Sequence, residues 1–182
     1  MPVFLPLHKT QNMENKDTSL KHLRKNLISG DDSKLIKEIE SLRNRKSEPG
    51  AVLLLKEIYE KTGNNEIRKV IEEFLNDLSD QNLTDEVINA IDTAELELTR
   101  QVFISSCWQS GLDYSSYIQK FIEYSVEFDY LAALECYSVI EEWSGSGSSE
   151  DLRMWADMIA DSLDDQTEEK KALLKAIASI LE

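Results

Sequence analysis

The sequence predicts an all-α protein, a short stack of antiparallel helix pairs with about ten helices in all. Three observations carry this. Apolar residues recur at steps of three and four through most of the 182 residues. All six glycines and all three prolines fall between those runs. No stretch alternates apolar and polar residues between turn signals, as a half-buried strand would.

Residues 1–18 show no apolar period and read as a flexible tail; residues 19–182 read as a single helical-repeat domain. In the first helix Leu20, Leu23 and Leu27 recur at helical spacing, and Gly30 ends the run. Asp31 or Asp32 caps a second helix with Leu35, Ile36, Ile39 and Leu42 on one face. After Lys46-Ser-Glu-Pro-Gly50, a third helix carries Leu54, Leu55, Ile58 and Tyr59 and closes at Gly63. The fourth has the cleanest comb, with Ile67, Val70, Ile71, Phe74, Leu75 and Leu78 on one face. A fifth starts near Thr84 and turns Val87, Ile88 and Ile91 inward. The sixth runs from about Glu95 to Ser110 through Leu98, Val102, Phe103, Cys107 and Trp108, with Gly111 placed as a left-handed cap.

In the seventh helix Tyr114, Tyr117, Phe121, Tyr124 and Phe128 form an aromatic stripe, and the three tyrosines are expected to keep their hydroxyls at the surface. Asp129 begins an eighth helix that is apolar on two sides. Leu131, Leu134, Tyr137 and Ile140 share one side, and Ala132, Cys136, Val139 and Trp143 the other, which predicts contact on both. The linker 144–149 is low in complexity and is expected to be mobile. A ninth helix follows with Leu152, Trp155, Ile159 and Leu163, and a tenth with Leu173, Leu174, Ile177, Ile180 and Leu181.

Composition narrows the function. No apolar run approaches the length of about 18–20 residues that a membrane span needs. The first residues lack the basic region of a signal peptide, so a cytoplasmic protein is expected. Cys107 and Cys136 both lie in apolar helices and read as free thiols. The net charge of −15 is unevenly spread: residues 1–48 carry 10 Lys/Arg against 7 Asp/Glu, and residues 49–182 carry 10 against 28. Such an acidic body repels phosphate backbones, which argues against nucleic acid as a partner.

The helices pair, and the second helices begin near Asp32, Glu66, Leu98, Asp129 and Thr167, steps of about 31 to 38 residues typical of helical arrays. A shift of 32 sets Arg68, Val70, Ile71 and Leu75 over Arg100, Val102, Phe103 and Cys107. In Asn64-Asn65-Glu66-Ile67-Arg68 and Glu97-Leu98-Thr99-Arg100 a short turn leads into a second helix with an early basic residue and an apolar comb. On these residues the chain resembles HEAT repeat proteins over about residues 51–143. The resemblance implies an α-solenoid whose second helices line a concave partner-binding face. A compact helical bundle is the alternative packing.

Chemistry is sparse. The only histidines are His8 and His22, far from either cysteine, so no Cys-His or Ser-His pair forms along the chain. No phosphate-binding loop and no zinc spacing occurs, and neither cofactor nor metal is expected. Asp80-x-Asn82-x-Thr84 starts like a calcium loop but has Asp85 where the glycine belongs and Ile91 where the closing glutamate belongs. Function is therefore expected on a surface: a non-enzymatic scaffold docking a protein partner, basic in character, with the oligomeric state open. The candidate contact residues are the polar positions of successive second helices, Glu72 and Asn76, then Gln101, Ser105 and Gln109, then Glu135, Ser138 and Glu142. The alternative is a small-molecule pocket near Trp108, Tyr137 and Trp143.

Overall fold

The computed structural model describes residues 20–26, 30–43, 48–143, 145 and 147–181. The expected tail 1–18, with His8, lies outside the described residues, as do Leu27 and two of the linker serines, Ser144 and Ser146. Among the described residues the chain is all-α, with no strand. The helices are α1 (20–26), α2 (Asp32–Arg43), α3 (Ala51–Lys61), α4 (Asn65–Asn76), α5 (Thr84–Asp92), α6 (Glu97–Gln109), α7 (Ile118–Glu127), α8 (Tyr130–Trp143), α9 (Ser149–Ser162) and α10 (Glu168–Leu181).

Helix starts are written by short polar side chains that accept otherwise unpaired backbone N–H groups. Asp31 accepts from the Lys34 N–H (3.1 Å), Asn64 from Glu66 (2.8 Å) and Asp129 from Ala132 (2.8 Å). Ser148 and Asp151 form a reciprocal capping box at α9. The Asp80–Thr84 segment is a helix start of the same kind. Asp80 accepts from the Asn82 N–H (3.0 Å), and a 3-10 turn, Gln81–Leu83, leads into α5. Asp113 repeats the device by accepting from the Ser115 N–H (2.8 Å) ahead of the turn Ser115–Tyr117 and α7. Gly111 sits at φ 70°, where a side chain would strain the exit from α6.

The helices pack as two layers. In one, α2 lies against α4, α4 against α6, α6 against α8, and α8 against α10; in the other α3 lies against α5 and α7 against α9. Within each pair from α3–α4 to α9–α10 the first helix packs on the second, α7 on α8 most extensively. Second helices start at steps of 33, 32, 33 and 38 residues. Many of the polar ties between neighbouring pairs have the same period. Asn64 donates to Asp32, Asn76 to Gln109, Tyr117 to Asp85 and Tyr124 to Asp92, at separations of 32 or 33 residues. Gln81 clips both backbone groups of Asp113, donating to its carbonyl and accepting from its N–H.

The core between the layers is continuous from Leu23 to Leu181. The α4 comb is as read, with Ile67, Val70, Ile71, Phe74 and Leu75 all buried. Three expectations are corrected. Tyr114 and Tyr124 do not keep surface hydroxyls. Tyr114 precedes α7 rather than belonging to it and is fully buried, its ring edge-on to Phe121 at 6.0 Å and its hydroxyl enclosed beside Cys107 and Ser110. Tyr124 is buried with its hydroxyl turned to Asp92. Leu98, Leu131 and Leu134 are exposed rather than inward. In the linker, Gly147 presses on the last pair: a Cβ there would lie 2.8 Å from Trp155 Cζ3 and 3.1 Å from Leu152 Cδ2.

Candidate functional site

The second helices α4, α6 and α8 each touch the second helix before, the one after and their own first helix. The fourth side of each is left to solvent. Counting from each helix start, residues 2, 5, 9 and 12 form that outer stripe, at helical steps of three and four. On α4 the stripe is Glu66, Lys69, Glu73 and Asn76; on α10 it is Glu169, Ala172, Ala176 and Ser179, and none of these eight is buried. On α6 and α8 the same stripe instead carries large apolar side chains. On α6 the stripe reads Leu98, Gln101, Ser105, Trp108, and on α8 it reads Leu131, Leu134, Ser138, Glu141.

The exposed apolar side chains are large. Leu98 is 44% exposed, Trp108 40%, Leu131 49% and Leu134 41%. Leu98 and Leu131 hold the same place in successive helix pairs, each the second residue of its helix. Trp108 bridges the two helices by donating its indole N–H to Glu135 Oε2 at 2.9 Å. That bond satisfies the ring's one polar atom and leaves hydrocarbon facing outward. Glu135 is one turn beyond Leu131 and next to Leu134, so Trp108, Leu131 and Leu134 form one outcrop, with Leu98 farther along α6.

The predicted contact residues surround this outcrop. Asn76, Gln101, Ser105 and Ser138 are on the outer stripe itself, and Gln109 and Glu142 are exposed beside it. Several are also structural. Asn76 donates to Gln109, which donates in turn to Ser105 (2.9 and 2.7 Å), lacing α4 to α6. Glu72 leans away from the stripe and accepts the Tyr59 hydroxyl of α3 at 2.8 Å. Leu131 and Leu134 are legible in the sequence as an apolar second side of α8, and Leu98 and Trp108 as members of the α6 apolar run, but inward contact is what that periodicity predicts.

The electrostatics are one-sided. Residues 94–143 hold nine acidic residues and two basic ones, Arg100 and Lys120. Both bases are engaged. Arg100 donates to the Ala94 carbonyl (2.8 Å) and lies 4.9 Å over the Phe128 ring, and Lys120 pairs with Asp92 at 2.6 Å. Glu135, Glu141 and Glu142 therefore flank the outcrop with no cation set against them in this part of the chain.

Buried groups offer little reactivity. Cys107 and Cys136 are free and fully enclosed, and burial pushes both thiols well above their ordinary range. Lys170 is buried beneath the α7–α8 turn, where it donates to the carbonyls of Val126 (2.6 Å) and Phe128 (2.5 Å). Burial lowers its pKa, while those carbonyls hold its charge and close the end of α7. Around the alternative pocket, Trp108 is at the surface, Tyr137 reaches Glu141 at 3.5 Å, and the Trp143 indole N–H is enclosed. A cleft of about 450 Å³ lies elsewhere, between α1–α2 and the α3–α4 turn, lined by Asn26, Asp32, Leu35, Lys61, Thr62, Gly63, Asn64 and Ile67. Among the described residues no group of three or more His, Cys, Asp or Glu is placed to hold a metal ion, and no helix is long and apolar enough to cross a membrane.

No family model matches the chain, and neither does any curated protein or solved structure.

Proposed function

We propose that this chain is a non-enzymatic, HEAT-like scaffold that docks a partner protein on the outer face of its second-helix layer. The exposed apolar outcrop on α6 and α8 carries the reading. Surface leucines and a tryptophan on adjacent helices, with Leu98 and Leu131 at equivalent positions and polar residues around them, are the form a protein-binding patch takes. The repeat character is supported by Arg68 and Arg100, 32 residues apart. Each donates to a carbonyl six residues back, of Thr62 (3.0 Å) and Ala94 (2.8 Å), and each lies over an aromatic ring, of Tyr59 (5.4 Å) and Phe128 (4.9 Å). The acidic body favours a basic partner and disfavours nucleic acid. Two buried unpaired thiols suit a reducing, cytoplasmic setting.

The test is capture of partners from native lysate by the wild type, by Leu131→Ser/Leu134→Ser, and by Met154→Ser. Met154 is 51% exposed on α9, away from the stripe, and serves as the control. A partner retained by the control and lost with the double variant is the expected result. The same partners on all three proteins, or none on the wild type, would refute docking at this face.

A further inference from the structure

We infer that the α6–α8 outcrop seats an amphipathic α-helix with a basic polar side, a statement that rests on the scaffold reading and narrows it to one occupant.

The form of the occupant follows from the backbone. Every backbone group in the interior of α6 and α8 is used within its own helix, and no strand exists among the described residues for an extended segment to join. A strand laid here would cover its own N–H and C=O groups with nothing to bond them. A helix brings that bonding with it and offers a ridge of side chains to the furrow between two packed helices, whose axes lie about 8–10 Å apart. Trp108 is the natural anchor. Its ring is fixed by the Glu135 bond, so little ordering remains to be done when a partner covers it. Leu131 and Leu134, one turn apart, set the adjoining apolar contact.

The charge of the occupant follows from the rim. Glu135, Glu141 and Glu142 border the leucines, while both nearby bases are engaged elsewhere. Lysines or arginines on the occupant's polar side meet those carboxylates. A second copy laid face to face on the same outcrop would set the same glutamates against one another, which opposes pairing. An anionic membrane surface is repelled for the same reason.

The probe is a labelled leucine/lysine peptide of about fourteen residues, roughly four helical turns. It has leucines at i, i+3, i+4 and i+7, and it is read by anisotropy against three companions and three proteins. One companion replaces every lysine with glutamate, one carries a central proline, and one is a scrambled peptide of equal charge. The proteins are the wild type, Leu131→Ser/Leu134→Ser, which changes no charge, and Glu135→Gln/Glu141→Gln/Glu142→Gln, which keeps an acceptor for Trp108. The leucine/lysine helix is expected to bind the wild type. Binding should weaken about tenfold or more in each variant and for each companion peptide. All substituted side chains are surface positions, and unchanged melting of each variant verifies the fold.

A loss under about twofold in the serine variant places the peptide elsewhere and overturns the proposal. So does equal binding of the acidic or the proline peptide. Sedimentation showing a wild-type dimer that the serine variant abolishes assigns the face to a second copy and also overturns it. If the peptide fails while lysate capture still depends on Leu131 and Leu134, only the occupant's chemistry falls. If both fail, the scaffold reading falls with it.

Discussion

Asp92 is the last residue of α5, where the helix dipole disfavours a negative charge and no basic residue sits in the last turn. The structure places it there for α7. Its carboxylate accepts the Tyr124 hydroxyl at 2.5 Å and the Lys120 ammonium at 2.6 Å, tying neighbouring first helices together. Tyr124→Phe keeps the ring, which stacks on Phe128 at 4.9 Å and meets Phe121 edge-on at 5.9 Å. It removes one hydrogen bond to a charged group, worth about 1.5–3 kcal/mol. Asp92 is more than a third exposed and can rehydrate, so the low end applies, about 1.5 kcal/mol. For a chain of 182 residues that is a fall in Tm of about 3–6 °C. The exposed Lys120 pair contributes less than about 1 kcal/mol.

The sharper outcome is a change of sign. In the wild type, Asp92→Asn should destabilise. In a Tyr124→Phe/Lys120→Met background it should stabilise by about 0.3–1 kcal/mol, because only the unfavourable dipole term remains. Urea melts of the four proteins close the cycle. A coupling below about 0.5 kcal/mol, or no change of sign, would refute the account of why an acid ends α5.

Three further outcomes follow from burial. A thiol reagent should modify neither Cys107 nor Cys136 in the native protein and both in denaturant, and fast native labelling of either would contradict the enclosed core. Tyr59, Tyr114 and Tyr124 have pKa values raised first by burial, and Tyr117 first by its bond to Asp85. The folded state holds these protons more tightly than the unfolded chain. Their contribution is thus complete below about pH 10 and is lost as pH rises beyond it, so the tyrosinate absorbance of these four should appear together with cooperative alkaline unfolding. Gly147→Ala should cost about 1–3 kcal/mol through the contact with Trp155. Gly145→Ala meets nothing within 4 Å and should stay within about 0.5 kcal/mol, and equal melting temperatures for the two would discount the contact.

Much of this fold was legible because local chemistry and packing agree. The α4 comb, the Asp31 cap of α2, the left-handed Gly111 and the 32-residue shift of Arg68 onto Arg100 each follow from short-range rules, and each recurs in the structure. The misreadings share one cause. Periodicity gives the angle of an apolar face but not what stands opposite it. On α4 the one apolar face is the core face, so angle and burial coincide. On α8 two faces are apolar; Ala132, Cys136 and Val139 go inward, and Leu131 and Leu134 go out. Tyr114 failed differently. Its step matches the α7 stripe, yet it precedes the Ser115–Tyr117 turn and points into the core beside Cys107.

The stacking geometry explains why the open side of α8 carries information. An interior second helix is enclosed on three sides by its own chain, and only the fourth is free to vary without altering the fold. On α4 and α10 the stripe positions equivalent to Leu131 are Glu66 and Glu169, and those equivalent to Leu134 are Lys69 and Ala172. The scaffold therefore accepts charged or small residues there, and the leucines on α8 are not required by packing within the chain. Leaving two leucines and a tryptophan half in water forgoes roughly 0.8 kcal/mol for each methylene that burial would cover. Covering the outcrop would recover that energy, and among the stripes of α4, α6, α8 and α10 only those of α6 and α8 hold large exposed apolar side chains, which is where the proposed docking would gain most.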